Sequence, residues 1–188
     1  SDRWINAASA KANPESPRDL LPEGQDGGVL VNGDGQVSDI RTISEFGDVE
    51  LHVEFMVPEG SNSGVYLQDR YEIQILDSWG KAAPQHDDCG GVYQRWDDSR
   101  EPRGYEGRPP RVNAARKPGH WQSYDIIFRA PRFDSDGKKI ANARFERVTH
   151  NGVVVHEDVE LTGHTRAGRG GSESATGPLR LQGDHGPV

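Results

Sequence analysis

Short stretches in which apolar and polar residues alternate recur along the chain, and this period of two is typical of half-buried β-strands. The clearest stretch is 48–58, where four apolar residues from Leu51 to Val57 share one face. The stretch 121–129 repeats the pattern, and the turn pair at 151–152, Asn-Gly, joins two further runs as a tight hairpin would. No run has the period of an amphipathic helix. The pattern predicts an all-β fold, an antiparallel β-sandwich of the jelly-roll type.

The stretch 61–79 carries polar residues that need a functional explanation. Its second half predicts a strand in which Glu72 and Gln74 point to one face and apolar residues to the other. Glutamate is a poor strand former, so its place beside a glutamine favours a binding surface laid on a sheet. In the first half, Gly64 lies inside a strand pattern and predicts a close backbone approach or a β-bulge.

The domain organisation follows from where this patterning begins. Residues 1–27 are rich in Ala, Pro, Ser and Asn without a sustained period, which predicts an irregular N-terminal lead-in. Residues 28–188 are predicted to form a single domain, because a chain of this length can bury one sizeable core. A long polar segment, 79–118, interrupts the strands and is expected to be a functional or mobile loop.

Charge and cysteine content narrow the classes of partner. The formal net charge of −8 argues against nucleic acid or an anionic membrane as the partner. Cys89 stands alone, so a disulfide framework within the chain is excluded. No apolar run approaches the length of a membrane span, and no charged-then-apolar leader stands at the N-terminus. We therefore expect a protein without a transmembrane segment, whose chain starts at Ser1 as a mature or trimmed protein would.

Metal-binding patterns are weak. The segment 134–137, Asp-Ser-Asp-Gly, resembles part of a calcium loop, but Phe145 occupies the position where an EF-hand requires glutamate, so a turn is predicted. His86, Asp87 and Asp88 could ligate a hard cation, although adjacent acids in a polar loop are usually just solvated. We therefore predict no cofactor and no metal ligands, and leave a divalent cation open.

Four segments carry a resemblance to a known family. In chain order they read N-S-G-V-Y-L, Y-E-I-Q-I-L-D-S, G-H-W-Q-S-Y-D-I and G-P-L-R-L-Q-G-D-H-G-P-V. With these segments, from about Gly28 to the end, the chain resembles the family called domain of unknown function 1080, renamed the 3-keto-disaccharide hydrolase domain. The resemblance implies a concanavalin A-like, laminin G-like jelly roll that is secreted or periplasmic. Because members of that family continue into a further strand, it also implies that the domain in 28–188 lacks its last strand.

The resemblance further implies cleavage of glycosides or disaccharides whose sugar is oxidised at C3. A C3 ketone acidifies the C2 proton, so cleavage needs a base, a donor for the enolate oxygen and an acid for the leaving group. Glu72 is the first candidate for acid or base, followed by Glu54 and His185. The side chains expected to bind the sugar are Asn62, Tyr66, Gln68, Gln74, Asp77 and Tyr93, with Arg129 polarising the ketone.

Other interpretations stand beside this one. Asn62 and Gln74 could satisfy backbone groups, Glu54 could be a solvated face residue, and His185 could serve a turn. The same fold hosts non-catalytic lectin-like carbohydrate-binding modules. A third hypothesis is hydrolysis of unoxidised glycosides by Glu54 and Glu72, which requires carboxyl groups about 5 to 9.5 Å apart.

Overall fold

The computed structural model describes residues 3–188, which contain strands and connecting loops and no helix. Two four-stranded antiparallel sheets dominate the fold, so the predicted all-β antiparallel sandwich is confirmed. Within 3–188 no helix is long and apolar enough to cross a bilayer. The strands are β1 Ile5–Ala7, β2 Ser9–Asn13, β3 Ser16–Glu23, β4 Val29–Val31, β5 Ile40–Phe46, β6 Val49–Phe55, β7 Asn62–Leu67, β8 Tyr71–Leu76, β9 Arg95–Trp96, β10 Gly104–Tyr105, β11 Gln122–Arg129, β12 Arg132–Phe133, β13 Lys139–Ala141, β14 Ala143–His150, β15 Val153–Leu161 and β16 Gly177–Leu181.

The two large sheets pack against each other around the core. The back sheet has the order β15-β14-β11-β6, and the front sheet has the order β5-β16-β7-β8. The core lies between them, where Tyr124 and Phe128 of the back sheet meet Tyr71 and Ile73 of the front sheet in one buried cluster. The predicted inward faces of 48–58, 71–75 and 121–129 are therefore confirmed.

The hairpin expected at 151–152 is also present. Asn151 and Gly152 have φ values of 51° and 80°, which are the positive angles that a two-residue hairpin turn requires. They join β14 to β15, with His150 opposite Val153 in the antiparallel register. The turn chemistry predicts the pairing next to the turn, and the register shifts between Val148 and Thr149 further along the strands.

The prediction of an irregular lead-in is wrong for residues 5–23. β2 and β3 form a hairpin, and β1 pairs with β4. Ala7 and Leu20 are buried with Val31 and Met56 in a small second core. So few apolar residues, spaced so widely, leave no period in the sequence, and the strands form because the rest of the fold supplies the surface they cover. The domain boundary at residues 27 and 28 stays a prediction.

The segment 79–118 is partly ordered against the edge of the front sheet. Gln74 and the backbone of Gly90 and Gly91 exchange two hydrogen bonds of 2.9 Å, and the Tyr93 N–H donates to the Glu72 carbonyl at 3.2 Å. These bonds lay residues 90–93 alongside β8. The segment consequently forms one wall over the outer face of the front sheet.

Candidate functional site

A polar cavity of about 340 Å³ lies on the outer face of the front sheet. Its floor comes from β7, β8 and the end of β16, and its walls come from the loops around residues 93 and 166. A cavity of this size with converging polar groups suits a small-molecule ligand. The lining residues are Asn62, Tyr66, Glu72, Gln74, Tyr93, Arg166, Ala167, Gln182 and His185.

The strand register explains why the polar side chains converge. β7 and β8 are antiparallel, with Tyr66 opposite Glu72 and Gly64 opposite Gln74. Residues directly opposite each other share a face of the sheet, and their neighbours along each strand point into the core. The predicted placement of Glu72 and Gln74 on one face is therefore confirmed, although both are buried, with 3% exposure each, rather than solvated.

Gly64 creates the space that the Glu72 carboxyl occupies. A Cβ atom at position 64 would lie 2.5 Å from Oε1 of Glu72 and 3.0 Å from the Tyr66 ring. The close approach expected from a glycine inside a strand is present, and the atoms that approach are side-chain atoms. The glycine is required by the carboxyl group, because any larger residue would push that group away.

We expect Gly64→Ala to move the Glu72 carboxyl while leaving the fold intact. Overpacking of this kind costs about 1–3 kcal/mol, whereas a displacement of about 1 Å in a reacting group can cost about 10²-fold in rate. Gly170→Ala is the matched control, because nothing lies within 4 Å of a Cβ added there. Urea unfolding and turnover measured on both variants test this, and a Gly64→Ala protein with normal activity would contradict it.

Burial sets the protonation of Glu72. Burial is the largest influence and raises the pKa of this carboxyl to about 7. The nearby Tyr66 hydroxyl and the charge of Arg180 lower that pKa, and Asp39 raises it. At neutral pH the protein therefore contains both the acid and the carboxylate, which is the condition under which a group can give and take protons efficiently.

A buried ion cluster supports the floor of the pocket. The Arg180 guanidinium lies 3.6 Å from the centroid of the Tyr66 ring. It pairs with Asp69 at 2.9 Å and with Asp39 at 3.3 Å, and Arg41 pairs with Asp69 at 2.8 Å. The sequence interpretation missed this cluster; its only signal was an arginine in a short strand, beside apolar residues.

The structure brings six of the predicted site residues together in the polar cavity: Asn62, Tyr66, Glu72, Gln74, Tyr93 and His185. His185 lies exposed at the rim, with its Nδ1 on the Asp184 carboxylate. Gln74 also accepts the Ile75 N–H through its Oε1 at 3.1 Å, so the backbone role considered for it is present as well.

Two predicted site residues belong to the back sheet. Arg129 on β11 is exposed and pairs with Glu146 at 2.9 Å. Glu54 on β6 is exposed opposite Ser123 and borders a different, largely apolar cavity of about 310 Å³. The prediction that these two share a groove with Glu72 is wrong, because the period of two fixes the face of a strand but not the sheet it joins.

Gln68 and Asp77 hold the backbone instead of lining the cavity. The Gln68 amide donates to the carbonyls of Phe46 and Ala175 at 3.2 and 3.0 Å, and the residue is 1% exposed. The Asp77 carboxylate accepts the N–H of Gly60 at 2.9 Å. Their predicted role in binding the sugar is corrected to a structural one, because both side chains bond to backbone groups of nearby loops.

Arg166, Ala167 and Gln182 line the cavity and were not among the predicted residues. Gln182 is fixed by its N–H, which donates to the Gly64 carbonyl at 3.0 Å. Arg166 and Ala167 lie in a loop whose glycine and arginine content gave no indication of which residue faces the cavity.

The described residues contain no group of three or more His, Cys, Asp or Glu side chains arranged to hold a metal ion. The segment 134–137 forms the predicted turn, in which Oδ1 of Asp134 accepts the N–H groups of Asp136 and Lys138 at 3.0 and 2.9 Å. The resemblance of this segment to a calcium loop is accounted for by that turn.

Fold and cavity together define the class of this protein: an all-β sandwich with a polar small-molecule pocket on the outer face of one sheet. The chain belongs to the 3-keto-alpha-glucoside-1,2-lyase-like domain family, whose family model matches residues 2–188. This confirms the resemblance carried by the four sequence segments. No curated protein matches the chain.

Three crystal structures of proteins from Parabacteroides distasonis, provisionally named glycosyl hydrolases, are similar to the chain. One is 28% identical, has a TM-score of 0.62, and the match covers 100% of this chain and 80% of that one. Another is 16% identical with a TM-score of 0.57, covering 98% and 83%. The third is 22% identical with a TM-score of 0.54, covering 98% and 92%. The second and third show the likeness of fold alone.

Proposed function

We propose that this protein cleaves the glycosidic bond of 3-keto-glycosides, with Glu72 as the base that removes the C2 proton. The observation that carries the proposal is the buried Glu72 carboxyl on the floor of a polar cavity, where burial raises its pKa to about 7. Membership of a family named for a 3-keto-glucoside lyase supports the choice of substrate.

The reaction divides into two steps. In the first, the C2–H bond breaks, the proton passes to the Glu72 carboxylate, and the electron pair forms an enolate whose charge rests on O3. In the second, the ketone re-forms, a C1–C2 double bond appears, and the C1–O bond breaks to release the aglycone, which takes a proton. Addition of water across that double bond would return a 3-keto sugar, so the product decides between lyase and hydrolase.

The other lining residues support these steps through binding and proton transfer. Amide groups of Asn62, Gln74 and Gln182 suit the sugar hydroxyls, because each amide offers both donors and an acceptor. The Tyr93 ring in the wall offers an apolar surface for the sugar ring. His185 at the rim, beside Asp184, is placed to protonate a departing aglycone that extends toward solvent.

We expect kcat/KM to fall on the acid side with an apparent pKa of about 7. The pKa of Glu72 is raised by burial to about 7, so below that pH the group is protonated and cannot accept the C2 proton. The rate should therefore rise with pH as Glu72 loses its proton. A profile of kcat/KM between about pH 5 and pH 9 measures this. A rate that is flat across the acid half of that range would exclude a base with this pKa.

Turnover of an oxidised and an unoxidised substrate tests the function itself. A 3-keto-glucoside should release its aglycone, and the same glucoside with an ordinary C3 hydroxyl should not. Binding of either sugar without turnover would instead favour the lectin-like module. Chelator added to parallel reactions shows whether a divalent cation takes part.

Hydrolysis by two carboxylates does not fit the arrangement of Glu54 and Glu72. They lie on different sheets, and each points away from the core that separates those sheets. Packed sheets are about 10 Å apart, so the carboxyl groups are further apart than the limit of about 9.5 Å for such a pair. We therefore expect turnover of the oxidised substrate and none of the unoxidised one.

A further inference from the structure

A positively charged side chain, Arg166, lines the polar cavity and has no role in the reaction steps described above. Arg166 lines the same cavity as Glu72, from a loop rather than from a strand of the sheet. Within residues 3–188 no carboxylate forms an ion pair with its guanidinium. Arg180, beneath the floor, is by contrast neutralised by Asp69 and Asp39. Arg166 therefore presents an uncompensated cation to the cavity.

This cation is held in place by its own side-chain contacts. Its guanidinium carbon lies 4.0 Å from the centroid of the Trp96 ring, which is cation–π geometry. It also lies near Tyr93, whose pKa is raised by burial and lowered by the charge of Arg166. A planar guanidinium stacked on an aromatic ring has few orientations left.

The backbone around Arg166 is fixed as well. The Arg166 N–H donates to the Gln94 carbonyl at 2.8 Å, and the Thr165 N–H donates to the Arg70 carbonyl at 2.9 Å. Arg180 donates to the Ala167 carbonyl at 2.7 Å, which ties the loop to the cluster under the floor. The charge is thus preorganised, so it would not need to move during a reaction.

We propose that Arg166 binds the C3 oxygen of the sugar and stabilises the negative charge that collects there when Glu72 removes the C2 proton. This inference rests on the function proposed above. The amides in the cavity are neutral donors, whereas a guanidinium carries its charge throughout the working pH range and forms stronger, charge-assisted hydrogen bonds. Arg166 takes the role that Arg129 was predicted to play.

The test compares Arg166→Gln and Arg166→Lys with Arg169→Gln, on a 3-keto-glucoside. The control residue lies in the same loop, is exposed and does not line the cavity. Arg166→Gln should lose about 10²- to 10³-fold in kcat, and Arg166→Lys should recover part of that loss because it keeps the charge. Arg169→Gln should stay within about twofold of the parent, as surface changes usually do. Melting temperatures show that the variants are folded.

A second readout separates stabilisation of the enolate from ordinary binding. Exchange of the C2 proton with solvent deuterium reports the first step alone, and it should slow in Arg166→Gln as much as cleavage does. A rise in KM with unchanged kcat and unchanged exchange would overturn the inference. Parent protein that leaves the 3-keto-glucoside intact would instead refute the proposed function, so the two failures can be told apart.

Discussion

Replacing Glu72 by glutamine should lower kcat for a 3-keto-glucoside by about 10²- to 10⁴-fold, the range that a positioned general base contributes. Glutamine has the size and shape of the buried carboxylic acid but cannot accept a proton. The substitution should leave the fold intact, because the amide fills the same space beside Gly64 as the carboxyl group does. Steady-state turnover, with substrate affinity measured separately, checks this.

Glu54→Gln provides the matched control for that experiment. Glu54 is exposed on the back sheet, so its substitution should leave both turnover and stability unchanged. Loss of activity in both variants would support hydrolysis by Glu54 and Glu72 acting as a pair, a mechanism that the arrangement of the sheets disfavours. Full activity in Glu72→Gln would remove Glu72 from the reaction.

Removing Arg180 should have the largest effect on stability. Arg180→Met deletes the guanidinium that pairs with Asp69, whose side chain is only 5% exposed, and with Asp39. Breaking a buried ion pair by removing one partner costs about 3–5 kcal/mol, because the remaining charge stays buried. Arg41 still pairs with Asp69, so we expect the lower end, about 3 kcal/mol. The free energy of unfolding in urea measures it.

Arg144→Met is the control for the ion cluster. Arg144 pairs with Asp158, whose side chain is 76% exposed, and water screens such pairs, so its loss should change the free energy of unfolding far less. Similar losses in both variants would show that the Arg180 cluster contributes no more than a surface pair. A selective loss would identify the cluster as the support of Tyr66 and the loop carrying Arg166.

The alternation of apolar and polar residues predicted the features of this fold that depend on neighbouring residues. The faces of the strand 71–76 follow from a period of two, and the hairpin at 151–152 follows from turn chemistry, since both depend on neighbouring residues only. Glu72 could be selected from sequence for the same reason: a glutamate in a strand next to buried apolar residues requires an explanation.

The alternation of residues could not predict contacts between segments that are far apart in the sequence. Glu54 has the same polar alternation as Glu72, yet it lies on the other sheet, because pairing between distant strands decides which sheet a strand joins. Arg166 lies in an irregular loop whose position depends on bonds to Gln94, a residue distant in sequence. The strands of residues 5–23 form only because Val31 and Met56 give them a surface to cover.

The family indicates a substrate class, and the residues of the cavity indicate how the reaction could proceed. Membership identifies a 3-keto sugar as the substrate class to test first. The geometry adds a buried carboxyl group, a glycine that makes room for it, and a cation that lines the same cavity. Each of these three can be altered separately, so their contributions can be measured independently.

The central claim is that cleavage begins with removal of the C2 proton from a 3-keto sugar by Glu72. Proton NMR of a 3-keto-glucoside incubated with the protein in D₂O tests it most directly, with the unoxidised glucoside in a parallel tube. We expect loss of the C2 proton signal together with release of the aglycone, only from the oxidised substrate and only when Glu72 is present. Equal cleavage of both substrates, or cleavage that continues undiminished in Glu72→Gln, would contradict it.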